Sequence, residues 1–114
     1  MSSAPPVILV IDDDDEMLRL VTLAFRRTAA TVVTQNGGFG ALTAIASRRP
    51  VVVLLDVTMP GLDGPAVVEL VRGDPELART RVIFWSALGR EALDEARERS
   101  GADAAIPKTS GATA

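Results

Sequence analysis

VILVIDDDD (Val7–Asp15) opens on five apolar residues and closes on four aspartates. VVVLLD (Val51–Asp56) repeats the pattern: an apolar run that ends on an aspartate. Runs this short, rich in β-branched residues, read as strands buried on both faces, the form strands take in parallel sheets. VIFW (Val82–Trp85) is a third such run. TVVT (Thr31–Thr34) is more polar, as an edge strand would be, and DAAI (Asp103–Ile106) is the weakest candidate.

Helical patterns separate the runs. Asp14 or Asp15 can cap a first helix with an apolar face of Met17, Val21, Ala24 and Phe25. Phe39, Leu42, Ile45 and Ala46 recur at helical spacing in a second. Val67, Val68 and Val71 belong to a third, ended by the Gly73-Asp74-Pro75 turn. A fourth spans about Arg90 to Ser100 and closes at Gly101, a natural C-cap. On it, Glu95 and Arg99 stand four apart and suit an ordinary exposed ion pair. Arg72, Arg79 and Arg81 read as a loose basic group on a solvated surface.

The order β-α-β-α-β-α-β-α-β implies a parallel sheet with helices on both faces. With five strands, the expected fold class is α/β: a flavodoxin-like, doubly wound sheet of order 2-1-3-4-5. Ligands in such folds sit at the carboxyl ends of the strands, where the first and third diverge. Asp12, Asp13 and Asp56 would then share one pocket. Carboxylates that close repel one another unless a charge offsets them. A hard divalent cation, Mg²⁺ or Mn²⁺, suits an all-oxygen donor set. The plainer reading of Asp14 and Asp15 is a solvated helix cap. In chain order VIFW is the fourth strand and ends in Ser86, and Lys108 follows the fifth, so both should rim the same pocket.

Composition narrows the chemistry further. The 114 residues suit one domain (1–114, core about 7–108), and 47% of them are hydrophobic, enough to pack a core. Cysteine and histidine are both absent. That excludes disulfides, thiolate or imidazole metal sites, and Ser-His or Cys-His catalysis. A net charge of −3 without a basic stripe argues against direct nucleic-acid binding. No apolar run reaches the roughly 18 residues of a membrane span, and Met1–Pro6 lacks the pattern of a signal peptide. A cytoplasmic protein is expected.

Asp12-Asp13, Asp56 followed by Met59-Pro60-Gly61-Leu62-Asp63-Gly64, Ser86-Ala87, and Gly101-Ala102-Asp103 leading to Lys108 resemble the receiver domain of two-component response regulators, CheY-like proteins. The similarity runs from about Val7 to Lys108. It implies that Asp56 is a phosphoacceptor. It also implies that Asp12, Asp13, Asp56 and the backbone carbonyl of Thr58 hold Mg²⁺ or Mn²⁺, and that Ser86 and Lys108 contact the phosphoryl group. The implied donor is a phosphohistidine on a sensor histidine kinase or histidine phosphotransfer protein, or a small acyl phosphate. Such a domain is not an enzyme beyond assisting its own phosphorylation and dephosphorylation.

The chain departs from the family pattern in three places. The family's Lys-Pro is here Pro107-Lys108-Thr109. The aromatic expected three places before the lysine is Ala105, so the usual aromatic readout is missing. Only six residues follow Lys108, so the fifth helix of receivers is expected to be missing or truncated. Either the sequence is a piece of a longer protein or a partner covers that face, and homo-oligomers through it are expected. Two other readings compete. A pseudo-receiver would be a protein-interaction module that does not depend on phosphorylation. A haloacid-dehalogenase-like phosphatase fits Ile11-Asp12-Asp13-Asp14 but leaves Asp56 without a purpose. Trp85, the single tryptophan, reads as a core or half-buried strand residue.

Overall fold

The computed structural model describes residues 4–108. The elements in chain order are β1 (Val7–Asp12), α1 (Asp15–Ala24), β2 (Thr31–Asn36), α2 (Ala41–Arg48), β3 (Val52–Leu55), α3 (Gly64–Gly73), β4 (Val82–Ser86), α4 (Arg90–Ser100) and β5 (Ala104–Pro107). All four strand pairings are parallel and the order is β2-β1-β3-β4-β5. This is the 2-1-3-4-5 sheet that the alternation implies. The half-polar TVVT run lies on one edge and β5 on the other.

Strand side chains alternate between the two faces, and the faces are unequally covered. Leu9, Ile11, Val53, Leu55, Val82 and Phe84 pack beneath α2, α3 and α4, where Ile45, Val67, Val71 and Leu93 complete a fully buried core. On the other face, Ile8 and Val10 meet Leu18 and Val21 of α1, with Val52, Leu54 and Trp85 only partly buried around them. Among the described residues α1 is the one helix on that face. β1, beside α1, is buried on both faces apart from its half-buried first residue, whereas β3 and β4 alternate between buried and half-buried. The two-sided burial expected of their apolar runs therefore holds on one side only. An apolar groove of about 480 Å³ remains, lined by residues such as Val21, Phe25, Leu54, Ile83, Trp85 and Ile106.

Two helices differ from the spacing argument. α2 begins at Ala41 because Gly40, at its N-cap, takes a left-handed φ of 88°. Phe39 thus lies outside the helix, 71% exposed; Ile45 is buried as its spacing suggests, but with Ala41 beside it and Ala46 exposed. In α1 the buried pair is Leu18 and Val21, while Ala24 faces the groove. Asp14 is the α1 N-cap, accepting the Glu16 N–H, and Gly101 caps α4. Glu95 and Arg99 form the exposed pair that their spacing suggests.

Arg72 is not a solvated surface residue. It donates to the carbonyls of Gly101, Ala78 and Thr80 and to Asp103 Oδ2. Asp103 Oδ2 in turn accepts the Val82 N–H. One guanidinium fork thus ties α3 to the loop before β4, the end of α4 and the approach to β5, using donors in the fixed geometry that arginine provides. The expectation about a fifth helix, and the loop from Thr109 onward, lie outside the described residues. No helix among the described residues is long and apolar enough to cross a membrane.

Candidate functional site

β1 and β3 are neighbours in the sheet, with Ile11 registered on Leu55. Their next residues, Asp12 and Asp56, therefore emerge side by side. The Asp56 N–H still donates to the Ile11 carbonyl at 3.0 Å, which holds it in line with β1. The carboxylates of Asp12, Asp13 and Asp56 each place one oxygen within 4.8 Å of the others. Asp12 and Asp56 are buried, 1% and 7% exposed, and Asp13 is exposed.

Each aspartate of the run is held differently. Asp12 Oδ1 accepts the Asp14 N–H at 3.0 Å. Asp12 Oδ2 is buried and faces the Lys108 ammonium, 2.7 Å away, as a close ion pair. One ammonium against three converging carboxylates leaves the group net negative, and an all-oxygen cluster of that charge fits a divalent cation. Asp14 is occupied as the helix cap. Asp15 Oδ1 accepts from Asn36 Nδ2 at 2.6 Å, and the same amide reaches the Asp13 carbonyl at 3.4 Å. Asn36 thus pins the loop that carries Asp13. Sequence reasoning did not single it out; its one signal is its place at the end of β2, registered with Asp12.

Ser86 and Lys108 meet the acidic group as their strand ends suggest. Ser86 is buried at the end of β4, and its carbonyl accepts the Lys108 N–H at 2.7 Å. Lys108 Nζ stands 3.4 Å from Asp56 Oδ2 and 5.4 Å from the centroid of the Trp85 ring. Burial pushes the Asp56 carboxyl above its ordinary value and the Asp12 charge adds to this, while Lys108, the Thr58 N–H and the Ser86 hydroxyl pull it back. Burial pulls the Lys108 ammonium down, but Asp12 and Asp56 outweigh it and hold the group above its ordinary value.

The loop after Asp56 is held close to it. Thr58 N–H points at Asp56 Oδ1 at a long 3.4 Å. Asp63 caps α3 by accepting the Ala66 N–H, and the Gly64 N–H donates to the Val57 carbonyl. A Cβ on Gly64 would run into the Asp56 carbonyl. α3 therefore starts directly against the backbone of Asp56, an approach that glycine allows.

Comparison with known proteins agrees with this geometry. Residues 8–114 match the family described as the response regulator receiver domain. Protein PilG of Pseudomonas aeruginosa is 36% identical over 70 residues, 54% of this chain and 52% of its own length. The transcriptional activator protein PfeR of the same organism is 37% identical over 84 residues, 74% of this chain and 27% of its own. The chain thus spans about half the length, or less, of these two relatives. Among solved structures, the receiver domain of the Francisella response regulator 1452 superposes with a TM-score of 0.79 at 30% identity, covering 90% of this chain and 84% of that one. A 2-1-3-4-5 parallel sheet, aspartates gathered at the β1 and β3 ends, and a family match over nearly the whole length lead to one conclusion: this chain belongs to the response regulator receiver domain family.

Proposed function

We propose that the chain, read as one domain over 1–114 with its core at about 7–108, is a phosphoacceptor module of a two-component or phosphorelay system, with Asp56 as the acceptor. The observation that carries this is the convergence of Asp12, Asp13 and Asp56 within 4.8 Å, with Lys108 against the buried pair. Asp12, Asp13, Asp56 and the Thr58 carbonyl are the proposed ligands of Mg²⁺ or Mn²⁺. When bound, the cation supplies positive charge that offsets both the carboxylates and the transferring phosphoryl oxygens.

The chain's own residues do the rest. An Asp56 carboxylate oxygen attacks phosphorus and a P–O bond forms. The P–N bond of a phosphohistidine, or the P–O bond of an acyl phosphate, breaks. The imidazole, which takes up a proton, or the carboxylate departs, and Asp56 becomes an aspartyl phosphate. Lys108 and the Ser86 hydroxyl bind the phosphoryl oxygens. The product carries more negative charge than the carboxylate, about −1.5 to −2, and the stronger pull on Lys108 and Ser86 is the local change that a partner senses.

The proposed donor is a sensor histidine kinase or a histidine phosphotransfer protein, and the proposed compartment is the cytoplasm. The apolar groove beside α1 supports self-association of the 114-residue chain, which size exclusion with light scattering checks: monomer alone at high concentration refutes it.

The test of the main reading is an intact mass spectrum after incubation with acetyl phosphate, with and without Mg²⁺. Wild type is expected to gain one phosphoryl group only with Mg²⁺, and Asp56→Asn to gain none. The absence of histidine removes that residue as an alternative acceptor. A folded, metal-binding wild type that gains no mass refutes the phosphoacceptor reading and leaves an interaction module that works without phosphorylation.

A further inference from the structure

Trp85 stands between the acidic site and the apolar groove. Its ring faces the Lys108 ammonium, with Nζ 5.4 Å from the centroid. The same side chain lines the groove beside Val21, Phe25, Leu54, Ile83 and Ile106. In the sheet Trp85 is registered on Ile106 and Ser86 on Pro107, and the Lys108 N–H is bound to the Ser86 carbonyl. The Lys108 backbone is thus pinned, while its four-carbon side chain can redistribute the ammonium. That ammonium, 14% exposed at the side chain, is shared between Asp12 Oδ2 at 2.7 Å, Asp56 Oδ2 at 3.4 Å and the indole face. An aromatic face attracts a cation through its quadrupole, tryptophan most strongly. Ala105, by contrast, packs against the core on the α2–α4 side and offers the site no ring.

We propose that Trp85 is the positioning residue for Lys108 and relays the occupancy of the Asp12–Asp13–Asp56 cluster to the apolar groove beside α1. The proposal rests on the reading of that cluster as a cation site. Loading the carboxylates with a dication cancels the attraction that holds Lys108 on Asp12. The ammonium then shifts relative to the indole. Trp85, whose other neighbours are groove side chains, carries that shift to Ile83 and Ile106. The groove is in this way connected to the chemistry without contributing to it.

Trp85 is the single tryptophan and the chain has no tyrosine, so intrinsic emission reports this residue alone. Wild type is titrated with MgCl₂ while emission is recorded, with binding measured in parallel by calorimetry and the methyl resonances of Ile83 and Ile106 followed by NMR. Emission and groove methyls are expected to change with the calorimetric midpoint. Lys108→Met is expected to bind Mg²⁺ yet lose most of the emission change. Trp85→Leu is expected to bind Mg²⁺ with silent groove methyls and to take up phosphoryl from acetyl phosphate about two- to fivefold more slowly, the size of a partly exposed cation–π contact. Trp85→Phe, which keeps a ring, is expected to restore most of both. If Lys108→Met fails to fold, Trp85→Leu decides.

Binding without an emission change in wild type overturns the relay alone, as does an undiminished emission change in Lys108→Met or groove methyls that still respond in Trp85→Leu. No calorimetric binding to wild type overturns both the relay and the cation site beneath it.

Discussion

Replacing Asp56 by asparagine is expected to raise the stability of the metal-free protein while abolishing its proposed chemistry. The magnitude follows from the charges around the residue. At an effective dielectric of about 20, two like charges 4.8 Å apart repel by about 3.5 kcal/mol, a floor for the repulsion from Asp12, whose carboxylate comes within that range. Lys108 Nζ at 3.4 Å returns about 5 kcal/mol on the same basis. Asp13 is exposed, and water screens its share. Lys108 thus outweighs that repulsion by at most about 1.5 kcal/mol, and the desolvation of a carboxylate 7% exposed exceeds what Lys108, the Thr58 N–H and the Ser86 hydroxyl return, in agreement with burial as the leading cause of its raised pKa.

An asparagine keeps an acceptor for the Thr58 N–H and offers an amide donor beside Asp12, while Lys108 retains Asp12 as its partner. A gain of about 1–2 kcal/mol is expected, or about 4–10 °C in melting temperature for a domain of this size. The assay is scanning calorimetry in a chelating buffer at neutral pH. The sign with pH is definite. A carboxyl whose folded pKa lies above its unfolded value favours the folded state at low pH and loses that contribution as pH rises through the folded value. The gap between Asp56→Asn and wild type should therefore vanish below the unfolded value of about 3.8 and be fully open above the raised folded value. Saturating Mg²⁺ should close it, since only wild type keeps all three carboxylates; at 100 times Kd, binding adds about 2.7 kcal/mol. An Asp56→Asn protein no more stable than wild type without metal, or a gap that persists below pH 3.8, would refute the charge argument.

Lys108→Met leaves Asp12, 1% exposed, without its counter-charge. It should cost about 2–4 kcal/mol without metal and recover more than wild type on adding Mg²⁺, as read from urea melts in chelator and in Mg²⁺. Arg72→Met removes the fork that holds the Gly101, Ala78 and Thr80 carbonyls and Asp103. A loss of about 2–4 kcal/mol is expected, with little recovery in Arg72→Lys because an ammonium cannot match the fork; equal stability of the lysine variant in denaturant titration would count against it. Gly64→Ala drives a methyl into the Asp56 carbonyl and should cost about 1–3 kcal/mol by overpacking. Gly73→Ala at the other end of the same helix, where a Cβ meets nothing, should change the urea midpoint little or raise it slightly.

The strands, their parallel order and the meeting of Asp12 with Asp56 could be read from the chain because they follow from local rules. β-branched runs of five or so residues mark strands, alternation with helices imposes a parallel sheet, and the 2-1-3-4-5 order puts the ends of β1 and β3 side by side. The Asp14 cap and the Gly101 cap are equally local, each satisfying backbone groups within one turn. Spacing misled where backbone conformation intervened. Phe39 fits a helical face in the sequence, but the left-handed Gly40 starts α2 after it.

Tertiary structure alone decided the individual roles within the Asp run. Asp12 Oδ2 is paired with Lys108 because β5 brings that residue back to the end of β1, and Asp15 is bound by Asn36 because β2 ends beside β1. Arg72 is a staple and not a surface charge because groups up to 31 residues away fold around it. β3 and β4 have one covered face because α1 shields only part of the other. Periodicity records neighbours two to four positions apart. Burial and charge pairing depend on which distant segments meet, and that is set only when the sheet assembles.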